Sequence, residues 1–294
     1  VMLSLACTAF ALFRCKSIVR SEKGYVLHSD FYLAVNQVLY TYIKITDYTQ
    51  ADEENVSLYL TLTTHEPFLF DGIEPYEHKV ITMCDADTSR EADIIRNNKN
   101  IYATYLYTDN ALHHLLHYYS TCDDFQNTIF IITGDHRMAF VNDGKNHLRK
   151  YNVPLIIYSP LLKQSRRMES VVSHYDIAPS VTAYLKKNYS CKFPETTHYL
   201  GESLDTTLRF VSKKKQLFML NNRAVEEWIH DTLYLYNDEL YVIRPNLDVK
   251  WYENDTAKER MKQELAMFQS LSVYTVDNNY LRNPFSNKEK TNGN

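Results

Sequence analysis

The chain has 294 residues, 45% hydrophobic and 23% charged, with a net charge of −4. That is the composition of an ordinary soluble globular protein, long enough for one large domain or two small ones. The slight acidity and the lack of any long single-sign run exclude a phosphate-backbone binder, which would be basic, so no nucleic-acid partner is expected.

The chain opens with VMLSLACTAFALF, 13 residues against the roughly 20 that span a bilayer. It lacks the charged start and cleavage site of a signal peptide. It reads as a buried helix in a domain truncated at its N-terminus. Residues 30–44 repeat apolar positions near every 3.6 residues after Ser29 or Asp30, which predicts a helix. Residues 46–55 read as a loop. VSLYLTLTT (56–64) predicts a strand that stops at HEPF. Residues 100–119 carry a helical stripe of Ile101, Tyr105, Thr108, Leu112, Leu115 and Leu116. TIFIIT and VPLIIYS (153–159) predict two further strands, and DIAPSVTAYL (176–185) a helix with Asp176 as N-cap and Pro179 in its first turn.

Strands alternating with long helices predict an α/β fold with a mostly parallel sheet sandwiched by helices. In such sheets ligands bind beyond the carboxyl ends of the strands, which is where HEPF and GDH fall. After residue 200 the texture changes to short alternating strand signals, with YNDELY as a hairpin turn and an amphipathic helix over 256–281. The expected division is a catalytic domain over 1–205, a small α+β subdomain over 206–282 and a disordered tail over 283–294.

Asp135 and His136 close the strand in TIFIITGDHRM. A carboxylate oxygen and a neutral imidazole nitrogen are both ligands for a divalent cation. The five cysteines (Cys7, Cys15, Cys84, Cys122, Cys191) form no CxxC pair and are odd in number, which fits buried free thiols better than a zinc knuckle or a disulfide framework.

Four fragments in order carry a family resemblance. LTLTTHEPF, YATYLYTDNALHHLLHYYSTCDDFQNTIFIITGDH, YNVPLIIYSP with VVSHYDIAPSVTAYL, and HYLGESLD resemble the lipoteichoic acid synthase-like branch of the alkaline phosphatase/sulfatase superfamily over residues 25–210. The C-terminal portion resembles tails in Bacteroidetes-type members. The resemblance implies an alkaline phosphatase-like catalytic domain holding one divalent cation, manganese or magnesium, or calcium in a sulfatase. Asp135 and His136 match two of its four protein ligands. The other two, an acidic residue and a nucleophilic threonine, have no recognisable match, so the nucleophile is not found in this chain. His65 matches a substrate-binding histidine.

The implied reaction is phosphoglycerol transfer or phosphodiester cleavage, from a phosphatidylglycerol-like lipid to a glycan or glycerol acceptor. It would take place on an extracytoplasmic, periplasmic domain held at the cell membrane by N-terminal helices upstream, with the chain itself inactive. His147, in a loop that can face the site, and Arg137, next to the metal pair, are weaker substrate contacts. His174 and Asp176 read as structural neighbours of the site. His113, His114 and His117 read as a solvated helix face. A sulfatase is the alternative, but no cysteine here stands in a Cys-x-Pro/Ala-x-Arg context; CKFPE comes nearest and fails. A non-catalytic remnant that binds glycolipid or polyanion is the third reading.

Overall fold

The computed structural model describes residues 8–15, 41–43, 54–61, 63–137, 146–189, 199–213, 215–219 and 225–278. The chain forms two compact units, Val1–Ser165 and Arg166–Asn294.

In the first unit β1 (Thr8–Cys15), β2 (Thr41–Ile43), β3 (Glu54–Leu60), β4 (Thr128–Gly134) and β5 (Leu155–Tyr158) form one sheet, ordered β2-β3-β1-β4-β5. Every neighbouring pair is antiparallel, which corrects the expected mostly parallel sheet. β3 and β4 do run the same way, but β1 lies between them in the opposite direction. Two further expectations change with it. The opening stretch contributes a strand, not a helix; an apolar run this short fits either period. As a central strand β1 pairs its backbone along both edges. Thr41–Ile43, expected at the end of a helix, is the edge strand β2; residues 30–40 lie outside the described residues.

Three helices follow β3: α1 (Glu74–Cys84), α2 (Arg90–Asn97) and α3 (Lys99–Ser120). Ser89 caps α2, its side chain accepting the Ala92 amide at 3.2 Å, as an N-cap serine should. α3 lays Leu115 and Tyr119 against Tyr59 of β3 and Phe130 and Ile132 of β4. The Tyr59 and Tyr119 hydroxyls, both buried, meet at 3.0 Å. α1 packs on the other half of α3 through Val80 and Ala103. β4 is buried at every position except the half-buried Ile129. Its neighbour β5 leaves Ile156, Ile157 and Tyr158 exposed.

In the second unit a 3-10 turn (His174–Asp176) leads into α4 (Ile177–Asn188). β6 (Lys215–Met219), β7 (Val225–His230), β8 (Leu233–Tyr236), β9 (Glu239–Ile243) and β10 (Val249–Trp251) then form an antiparallel meander in chain order. β8 and β9 are joined by Asn237 and Asp238 at φ 49° and 62°, the two positive angles of a type I′ hairpin. α5 (Asp255–Asp277) lays Met261 and Leu265 on Trp228, Leu235 and Leu240.

Glu264 of α5 ties this helix to β7. It accepts Trp228 Nε1 at 3.0 Å and His230 Nδ1 at 2.6 Å. Burial pushes its carboxyl up, but the bonds from His230 and Trp228 outweigh this and hold it below its usual 4.5. A carboxylate depressed in the folded state stabilises above its unfolded pKa and loses that contribution as pH falls through the folded value. Glu264→Ala should therefore destabilise the second unit by about 2 kcal/mol at neutral pH, the cost of two part-buried donors left unpaired. The difference from the parent should shrink as pH falls below 4.5. Both tryptophans lie in this unit, so urea unfolding followed by their emission reads it directly; a constant difference across the acid range would contradict the assignment.

Candidate metal and substrate site

β4 delivers Asp135 and His136 to the end of the sheet, and local bonds fix them there. The His136 amide donates to Asp135 Oδ1 at 2.8 Å. His136 Nδ1 lies 2.9 Å from Arg137 O. A carbonyl only accepts, so Nδ1 carries the hydrogen and, in the neutral ring, Nε2 keeps its lone pair. One atom of each side chain is thus committed to the backbone. The other two, Asp135 Oδ2 and His136 Nε2, face each other at 3.7 Å.

That separation is too long for a hydrogen bond. It suits a shared ion: with ligand distances of about 2.1 Å, donors this far apart subtend about 120° at the metal. The pair is 38% and 60% exposed, so it stands open to solvent. It therefore fits as two members of a ligand set. Among the described residues no group of three or more His, Cys, Asp or Glu side chains could hold a metal.

His65 belongs to the turn after β3. Phe68 N–H donates to His65 O at 2.9 Å around a cis Glu66–Pro67 bond, and the buried Phe68 anchors the turn against Ile101 of α3. A cis-proline at the third position makes this a type VI turn. The exposed His65 repeats the arrangement of His136, with Nδ1 3.0 Å from the next carbonyl, Glu66 O. Leu60 at the end of β3 and Thr133 near the end of β4 both pair with Ala9 of β1. With strands about 4.8 Å apart, the two strand ends lie at one edge of the sheet, roughly 10 Å from each other.

Arg137 turns back from this edge: its Nη1 donates to Arg149 O at 3.0 Å. This tie, which the sequence did not signal, joins the residue after the Asp135–His136 pair to the 3-10 turn His147–Tyr151 that half-buried His147 opens.

The remaining two candidates belong to the second unit. His174 is exposed. Asp176 is fully buried, and each of its oxygens accepts a backbone amide, Ser173 N–H on Oδ2 and Glu202 N–H on Oδ1, both at 2.9 Å. It occupies the N-cap position of α4, but its side chain caps no α4 amide. The carboxylate instead closes the 3-10 turn and straps the segment around Gly201 to it.

The family model for sulfatases matches residues 20–187, more than half of the chain and every candidate residue above. The chain belongs to the sulfatase family. The family places it in the alkaline phosphatase/sulfatase superfamily of ester-cleaving enzymes, which typically use a divalent metal. No curated protein and no solved structure matches.

Proposed function

We propose that the protein is the metal-binding part of a phosphoglycerol transferase or phosphodiesterase acting on lipid or envelope glycan substrates. The observation that carries this reading is the convergence of Asp135 Oδ2 and His136 Nε2 at 3.7 Å, two lone-pair donors with room for one cation between them. Manganese or magnesium would be held there; when bound it neutralises a phosphoryl oxygen and eases deprotonation of an attacking hydroxyl. Asp135 supplies the charge and, through Oδ1, holds the amide that orients His136. His65, its Nδ1 held on Glu66 O, would contact the phosphoryl oxygens or the glycerol where charge builds up. Arg137 and His147 would be weaker contacts to an anionic substrate, Arg137 with one guanidinium nitrogen already held on Arg149 O.

The donor would be a phosphatidylglycerol-like lipid and the acceptor a glycan or glycerol hydroxyl, at the outer face of a cell membrane. No described helix is long and apolar enough to cross a membrane. The 294-residue chain by itself would be inactive, because none of its threonines or cysteines matches the nucleophile's context and two protein ligands leave a cation mostly hydrated.

The family match favours a second reading equally, a sulfatase with calcium in the same place. Release of nitrophenol from a nitrophenyl phosphodiester and from nitrophenyl sulfate separates the two. The assay uses this chain, and this chain joined to a family segment bearing the nucleophile, with manganese, magnesium or calcium. Metal-dependent cleavage of the phosphodiester by the joined chain supports the transferase. Preference for the sulfate replaces it with the sulfatase. Binding of the esters without cleavage of either leaves a non-catalytic remnant.

A further inference from the structure

Across β8, β9 and β10 the register sets Tyr234, Tyr241 and Trp251 directly opposite one another. Directly opposed residues share a face of the sheet. Tyr236 and Glu239, also opposed, lie on the same face, two residues nearer the hairpin turn. α5 occupies the opposite face, on Trp228, Leu235 and Leu240.

The aromatic row opens toward the sheet edge. Tyr234 is fully buried, with its hydroxyl on the buried Glu227 carboxylate; Tyr236 and Tyr241 are half-buried; Trp251 is 53% exposed. Trp251 does not lie loose. Its Nε1 donates to Glu239 Oε2 at 3.1 Å, which sets a carboxylate at the rim of the indole. Among the described residues Glu239 Oε1 has no partner, and Trp251 makes no ring contact.

An indole held in place but left bare on an edge strand is an anchor without an occupant. Its surroundings limit the occupant. The neighbouring Lys250 and Glu253 are exposed, and Tyr252, next in the chain, is 40% exposed, so the plate stands in a largely polar setting. A protein partner needs a continuous patch of about 800 Å² per side. Quaternary ammonium groups are gripped by cages of several rings, and Trp251 is a single open plate. A sugar ring matches what is present. A pyranose has a flat face of C–H groups to lie on the indole and hydroxyls around its rim to donate to Glu239, the mix of one apolar wall and a few placed acceptors that small-ligand sites use.

We propose that Trp251 and Glu239, backed by Tyr241 and Tyr236, form a carbohydrate-binding surface for a hydroxyl-rich glycan chain, independent of the chemistry at the Asp135–His136 pair.

The two tryptophans make the test direct, because Trp228 is 5% exposed and Trp251 is 53% exposed. The 294-residue chain is titrated with N-acetylchitotetraose, with cellotetraose and with choline chloride while tryptophan emission is followed. A saturable change with at least one oligosaccharide is expected, half-complete near about 1 mM. The change should vanish in Trp251→Ala and persist weakly in Trp251→Phe. Glu239→Ala should weaken binding about tenfold with the far-UV circular dichroism unchanged. Should Trp251→Ala fold poorly, protection of the parent's emission from acrylamide by the same sugar gives the answer. No saturation by either sugar up to about 10 mM, a response that survives in folded Trp251→Ala, or saturation by choline alone would each overturn the proposal.

Discussion

Asp135→Ala is expected to lower metal-dependent ester cleavage by more than about a hundredfold, roughly 2.7 kcal/mol of transition-state stabilisation. The reaction is measured in a chain that supplies the nucleophile and the remaining ligands. Outer-shell partners of a metal ligand typically matter by 10- to 100-fold (~1.4–2.7 kcal/mol), and Asp135 is placed to act in both capacities. In the proposed site Oδ2 would hold the ion, and Oδ1 accepts the amide of His136 at 2.8 Å, so one substitution would remove a ligand and loosen the other. His136→Ala should match it in effect. His65→Ala should differ in kind, because His65 stands on the neighbouring turn and on the proposed reading would contact substrate, not metal. It should slow turnover about a hundredfold, the scale of one lost oxyanion donor, while manganese affinity stays at the parent's value. Metal-dependent turnover undiminished in Asp135→Ala would remove the pair from the mechanism. A fall in manganese affinity in His65→Ala would move His65 into the ligand set.

How much of this was legible depended on the range over which each signal acts. β4, α3 and the β8–β9 hairpin could be read because their causes are local: a run of β-branched and aromatic residues, a stripe at helical spacing, and Asn237–Asp238 at two positive φ angles. The order of the sheet could not. A strand–helix–strand pattern makes β3 and β4 run the same way, but nothing local says that Thr8–Cys15, some 40 residues before β3, lies between them. The site divides the same way. The end of an apolar strand pointed to Asp135 and His136, whereas His65 came only from the resemblance of LTLTTHEPF to the family's substrate-histidine turn. The commitment of both Asp176 oxygens to Ser173 and Glu202 depends on a contact 26 residues away, which no spacing rule reaches.

That same contact makes Gly201→Ala the substitution with the largest expected effect on stability. A Cβ at Gly201 would stand 2.1 Å from Tyr175 O, 2.2 Å from Tyr175 C and 2.7 Å from Asp176 N. All three are backbone atoms of the turn that opens α4, so no flexible side chain can swing aside. The 199–204 segment must move away by an ångström or more. Its bonds to the turn and to α4 are then at risk: Glu202 N–H on Asp176 Oδ1 at 2.9 Å and Leu204 N–H on Ser180 Oγ at 2.7 Å. Losing the first strands one oxygen of a fully buried carboxylate, a loss of about 1–3 kcal/mol or more for a charged group. Together these place Gly201→Ala at about 3 kcal/mol or above, the range reserved for named structural faults. In the melting curve of a domain this size, that corresponds to roughly 6–12 °C. Gly72 provides the contrast. Its φ of +83° lies in the left-handed region, but nothing stands within 4 Å of its Cβ position, so Gly72→Ala should lose only the conformational preference, about 1 kcal/mol. One glycine is required for space and the other for its angle, and the two variants should separate in that order in thermal unfolding. A Gly201→Ala chain that melts with the parent would show that residues 199–204 do not pack on the start of α4 as described.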